Sequence, residues 1–197
     1  MNTIISEKEN KVVIEKSKFI AYIYNCSSSE EQSSILKGLK RQHLSATHIC
    51  YASNFYSDGQ VLSYSSDDRE PSGTAGMQIL QAIKENDMIN VCCAVVRYFG
   101  GIKLGVAGLG RAYKETALTV MKENKREVLL RSKCFVKCDY NQYQILKTFI
   151  EKNNLKCIDL NFTDGVSFYI YLTEDEQKKL QNMVQELKEY KIEQKYC

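Results

Sequence analysis

The sequence has no tryptophan, one proline and two histidines, and its formal net charge is only +3. A balance of 27 basic against 24 acidic side chains excludes a globally basic nucleic-acid coat or a polybasic membrane arm, so any polyanion site must be local. No apolar run approaches the roughly 18 residues needed to span a bilayer. Residues 1–18 alternate charge with short apolar runs and form no apolar centre of a signal peptide. The expected location is the cytoplasm, with no membrane partner. His43 and His48 stand without a Ser–base–acid arrangement, which leaves a triad hydrolase without its parts. The eight cysteines include no CxxC pair, and thiols on runs such as VCCAVV read as small core residues in a reducing compartment. Cys134 and Cys138 lack two further ligands at sensible spacing, so neither a metal nor a cofactor is implied.

What is present is ordinary globular material. The 197 residues are 44% hydrophobic and 26% charged, enough for one large domain or two small ones. Short β-prone runs at Val12–Glu15 and Phe19–Tyr24 flank a Lys-Ser-Lys turn, and Ser27–Ser29 before Glu30-Glu31 marks a helix start running to about His43. Thr47–Tyr56 and Gln60–Ser65 read as a hairpin around Asp58-Gly59. A polar loop leads to a helix over Ala75–Glu85, with Met77, Leu80 and Ile83 at helical spacing. Val91–Phe99 is a continuous apolar run expected to be a buried central strand, followed by a glycine-rich loop and a helix from about Leu109 to Glu123. The charged stretch Asn124–Glu127 is the best boundary, dividing domains at 1–126 and 127–197. Beyond it, strand, helix, two strands around Asp164-Gly165, helix and a last strand near Tyr190–Glu193 spell the ferredoxin-like βαββαβ order.

Seven of the ten glycines fall between Gly73 and Gly110, in two unusual segments. The first, Arg97 to Tyr113, leads from strand to helix and carries four basic and no acidic residues as far as Lys114. Glycine allows close backbone approach, and the unpaired N–H groups at a helix start favour an anion. Arg97, Lys103 and Arg111, with loop amides at Gly100, Gly101 and Gly105, are the candidate polyanion contacts. The common nucleotide fingerprints fail: Gly105 to Gly110 lacks the Lys and hydroxyl that should follow, and the Gly-x-Gly-x-x-Gly beginning at Gly108 ends in Tyr113. A tight turn with surface cations reads the same way. The second segment, Ser66 to Gly76, sets three carboxylates before the only proline. Asp67, Asp68 and Glu70 are able to coordinate a hard cation or act as a general base, and Ser72 and Thr74 to donate to a phosphate around Gly73. Equally, hydroxyls and acids at this place are what a helix N-terminus uses. His48, at a strand start, fits an acid–base role or a structural hydrogen bond.

SDDREPSGTAG, RYFGGIKLG and AGLGRAY, in that order, resemble the signature blocks of the YigZ/IMPACT family, with SKFIA near the start and Ala46-Thr47-His48 as further landmarks. The family pattern usually has Gly at the place of Arg69. The resemblance implies an α+β chain: a two-layer α/β N-terminal domain like ribosomal protein S5 domain 2, then a ferredoxin-like domain like that of elongation factor G. Eukaryotic relatives carrying the first domain regulate translation under amino-acid stress. The expectation that follows is a non-enzymatic RNA- or ribosome-associated protein that grips a polyanion through the glycine-rich basic loop, with the Asp67–Thr74 segment as a second wall. The alternative is an enzyme or binding protein for a phosphorylated or carboxylated metabolite.

Overall fold

The computed structural model describes residues 1–57, 60–129, 131–183 and 189–196. By internal contacts the chain forms two compact units, Met1–Val128 and Leu129–Cys197.

The first unit runs β1 (Asn2–Ile4), β2 (Lys8–Ile14), β3 (Ser17–Asn25), α1 (Ser29–Gln42), β4 (His48–Ser57), β5 (Gln60–Ser66), α2 (Gly76–Glu85), β6 (Val91–Tyr98), α3 (Gly105–Met121) and β7 (Lys125–Glu127). Five strands form an antiparallel sheet in the order β2-β3-β6-β4-β5. Strand alternation assigns its two faces. Phe19, Ala21, Cys50, Ala52, Cys93 and Val95 pack with α2 and α3, while Tyr22, Ile49, Ala94 and Val96 pack with Leu39 and other residues of α1. β6 is buried from Val91 to Arg97 because it sits mid-sheet with helices on both faces, which is why its sequence is a continuous apolar run. The edge strand β2 is largely exposed and carries Lys8, Glu9 and Lys11, charges that discourage pairing with another chain. Asp58-Gly59 lies outside the described residues; its neighbours Ser57 and Gln60 pair antiparallel.

Two features depart from the sequence reading. The glycine-rich stretch is loop only to Leu104: α3 begins at Gly105, four residues earlier than expected, and takes Gly108 and Gly110 into its body. Burial of Leu109, Ala112, Tyr113, Thr116 and Val120 along one stripe outweighs the roughly 1 kcal/mol that each internal glycine costs a helix. β1 and β7 form a short ribbon, with Asn2 opposite Glu127. β7 is three exposed charged residues, so no apolar alternation announces it.

The second unit runs β8 (Arg131–Cys138), α4 (Tyr140–Lys152), β9 (Cys157–Asn161), β10 (Val166–Leu172), α5 (Glu174–Met183) and β11 (Glu189–Tyr196), with antiparallel strand order β11-β8-β10-β9. That is the ferredoxin-like arrangement. β8 and β10 alternate buried and part-exposed residues along their length, as a sheet with one covered face requires. α4 starts with a capping box: the Asp139 carboxylate accepts from the Gln142 N–H, and the Gln142 side chain accepts from the Asp139 N–H.

Candidate anion pocket at the start of helix α3

Sheet register places the first components. Arg97 of β6 lies opposite Phe19 of β3 and His48 of β4, and one row inward Val95 lies opposite Ala21 and Cys50. These residues share the face that α2 and α3 cover, so a guanidinium is carried to the rim of an apolar core. Arg97 is only 6% exposed. Its Nη1 donates to Glu70 Oε1 at 2.6 Å, its guanidinium lies 5.4 Å from the ring centres of both Phe19 and Phe99, and its Nε has no hydrogen-bond partner. Glu70 Oε1 also accepts from the Tyr113 hydroxyl at 2.9 Å, and the Cys50 thiol donates to that hydroxyl at 3.4 Å. Burial pushes the Tyr113 hydroxyl far above its ordinary range and the Cys50 thiol up to about 12, so both stay protonated donors. Cys50 is therefore an inert thiol.

The Asp67–Thr74 segment is built by its own acids. Asp67 Oδ1 accepts from the N–H groups of Ala75 and Gly76 at 3.0 and 2.8 Å, and Oδ2 accepts from Gly73 at 2.8 Å. One carboxylate thus caps α2, whose own cap position, Ala75, offers no side-chain acceptor. Asp68 Oδ2 accepts from Ile49 N–H at 2.7 Å, and the Asp68 carbonyl accepts from His48 Nδ1 at 2.8 Å, which makes Nδ1 the protonated nitrogen. His48 Nε2 lies 3.8 Å from Glu70. The Thr74 hydroxyl donates to the Pro71 carbonyl at 2.6 Å, while Ser72 is exposed. A Cβ at Gly76 would sit 2.6 Å from the Ser66 backbone nitrogen, so only glycine lets β5 and α2 meet this closely.

Two segments that are far apart in sequence share one pocket of about 400 Å³. Glu70 and Pro71 line it from one side, Arg97 and Phe99 from the end of β6, and Lys103, Leu104, Gly105, Val106 and Leu109 from the start of α3. The first turn of α3 holds no acidic residue and its cap, Leu104, accepts nothing with its side chain, so the positive end of the helix is unneutralised. Lys103 and Gly105 are exposed, and Gly105 adopts φ +70°.

The residues singled out from sequence are thus sorted. Arg97, Lys103, Gly105 and Glu70 meet in the pocket. The Gly100 amide donates to Ser17 Oγ at 3.1 Å, and a Cβ there would collide with the Lys16 carbonyl, so this glycine joins loop to sheet. Gly101 is exposed with φ +89°, and Arg111 is exposed further along α3. Of the expected second wall only Glu70 lines the pocket; Asp67, Asp68, Gly73 and Thr74 make hydrogen bonds that shape the loop beside it, and His48 and Ser72 are likewise outside the lining. Among the described residues no group of three or more His, Cys, Asp or Glu is placed to hold a metal ion. Tyr113, Cys50 and Phe99 are members the sequence reading passed over. Tyr113 was visible as an apolar-stripe position, four residues after Leu109, where a third fingerprint glycine would stand.

A five-stranded sheet with helices on both faces, followed by a ferredoxin-like unit, defines a two-domain α+β protein. Residues 15–121 match the family model described as Impact N-terminal domain, and residues 136–187 match one described as Domain of unknown function (DUF1949). The chain belongs to the IMPACT family. It is 30% identical over 191 residues to IMPACT family member YvyE of Bacillus subtilis, covering 94% of this chain and 85% of that protein. IMPACT family member YigZ of Escherichia coli is 29% identical over 154 residues, 76% of this chain and 74% of that protein. A solved crystal structure of a hypothetical protein superposes with a TM-score of 0.66 at 22% identity, covering 94% of this chain and 95% of that one, which shows the shared fold.

Proposed function

We propose that this protein is a non-enzymatic RNA- or ribosome-associated factor linked to the regulation of translation, engaging phosphate at the start of α3. The observation that carries the reading is the pocket itself: Lys103, the N-terminal end of α3 and the buried Arg97 line it together, with no acid in the helix's first turn. Glu70 is the one carboxylate on the wall, and its contact with Arg97 at 2.6 Å offsets its charge. Phosphate contacts of this kind position a nucleic acid without reading its sequence. Affinity capture of the tagged protein from lysate at low salt, followed by RNA sequencing, tests the reading. Captured ribosomal or other RNA should fall steeply as salt rises, because bound phosphates exchange for counterions. Capture that is independent of salt, and unchanged by Lys103→Glu, contradicts it.

A second reading has one observation in its favour. Both motif segments line a single concave pocket, as a site for a phosphorylated or carboxylated metabolite would require. Against it, the carboxylates of Asp67 and Asp68 are taken up by backbone N–H groups and Glu70 by Arg97 and Tyr113, so each of the three acids is already engaged. Magnesium-dependent stabilisation by a metabolite in a thermal-shift screen would favour it.

A further inference from the structure

We propose that the α3 pocket accepts a single unpaired nucleotide, its phosphate on Lys103 and the first N–H groups of α3 and its base against Phe99; this rests on the anion-binding reading above. Three observations define the ligand. First, the anion end includes a buried cation: Arg97, whose side chain is 7% exposed, lines the pocket together with the start of α3, and its buried Nε has no hydrogen-bond partner. Second, the remaining wall is apolar. Pro71, Phe99, Leu104, Val106 and Leu109 surround the cations, and Phe99 and Val106 are 47% and 68% exposed. A bare phosphate ion would use none of that surface. Third, the volume of about 400 Å³ lies near the lower end of the roughly 300–1,000 Å³ of small-ligand sites, the scale of one nucleotide rather than a duplex.

Phe99 is suited to the base. It directly follows the mid-sheet strand β6, its N–H is fixed by Thr47 Oγ1 at 3.0 Å, and the Arg97 guanidinium lies near its ring while about half of the residue stays open. Aromatic rings fixed beside a cationic groove are how unpaired bases are held without sequence preference. Paired bases cannot reach such a ring, so strand state should matter more than sequence.

Isothermal titration calorimetry on the full chain tests this with four probes: a single-stranded RNA decamer, the same decamer as a duplex, a nucleoside 5′-monophosphate and inorganic phosphate. The single strand should bind at least about 10-fold more tightly than the duplex. Phe99→Ala should weaken it by about 5- to 150-fold, the loss expected for one stacked base. Phe99→Tyr should restore binding. Because Phe99 is half exposed, matching thermal unfolding of the variants is expected and excludes a folding defect as the cause. A monophosphate that binds, and is lost with Phe99→Ala, while the decamer does not, assigns the pocket to free nucleotides. Equal binding of single strand and duplex, or a Phe99→Ala protein that binds like wild type, overturns the nucleotide pocket. If Lys103→Glu abolishes RNA binding in that case, anion binding stands and only this inference falls. A Lys103→Glu protein that binds every probe normally removes the reading beneath it as well.

Discussion

The two units bury different things. In the second, the described core is apolar side chains and thiols from Cys134 to Leu180, and its buried polar residues are Ser132 and Gln177. The first buries Glu70 and Arg97 with Thr74, Asn54, Ser53 and Gln32 among others. A buried ion pair is a poor source of stability, since desolvation offsets most of its attraction. The second unit shows that a sheet-and-helix core of this chain needs none. The pair in the first unit is better understood as a positioning device: Glu70 and the rings of Phe19 and Phe99 hold one guanidinium at the pocket wall.

Removing one partner gives the largest expected break in this comparison. Glu70→Ala leaves Arg97 buried and uncompensated, and should cost the first unit about 3–5 kcal/mol. Hydrogen exchange read by mass spectrometry should show faster opening of β3, β4 and β6, with the amides of β8 and β10 unchanged. Equal acceleration in both units would mean that the pair is not local to the first.

The helix starts give a smaller contrast. Asp67 serves three N–H groups at and just before the start of α2 from six to nine residues away, whereas Asp139 caps α4 locally within its box. Asp67→Ala should cost about 2 kcal/mol and Asp139→Ala about 1, from the range seen for N-caps. Chemical denaturation of each variant checks the order, and a reversed order would show that the Asp67 contacts are not a cap.

Relief of backbone strain runs the other way. Arg69 is 81% side-chain exposed and holds φ +71°, a conformation that costs a residue with a Cβ about 1 kcal/mol. Arg69→Gly should therefore stabilise the first unit, or at least leave it no weaker after the entropy that glycine adds to the unfolded chain.

The smallest effect separates the two faces of the sheet. On the α1 face His43 bridges two hydroxyls, Tyr22 at 2.9 Å from Nε2 and Tyr98 at 2.7 Å from Nδ1. Burial first, and then the charge of Lys18, lower its pKa, with Glu9 opposing. The unfolded state then binds the proton more readily, so the contribution of His43 is complete above its ordinary pKa and is lost as pH falls from there through the lowered folded value. The difference in stability between wild type and His43→Asn should shrink between pH 7.5 and pH 5; a difference that does not change with pH would contradict the assignment.

Much of the fold was legible because it follows from local signals. The apolar run Val91–Phe99, the capping signals before α1 and the strand–helix rhythm after residue 130 all reflect short-range chemistry. The site was legible as two segments but not as a geometry. Which carboxylates face the pocket depends on long-range contacts: Asp67 turns to α2, Asp68 to β4, and Glu70 to Arg97 of a strand 27 residues later. The start of α3 escaped for the same reason, since packing of Leu109 and Tyr113 draws a glycine-rich stretch into helix. No local rule shows that Arg97 is buried; it takes the register that sets it between Phe19 and His48.

We assign anion binding to the pocket and not to the basic stretch at large. Lys103 and Lys114 lie in the same acid-free stretch, but Lys103 lines the pocket whereas Lys114 pairs with Glu85 at 2.7 Å. Fluorescence anisotropy with a single-stranded RNA, comparing Lys103→Glu with Lys114→Glu at one salt concentration, measures this directly. Lys103→Glu should lose most of the affinity and Lys114→Glu should keep it. Equal losses in the two variants would contradict the assignment.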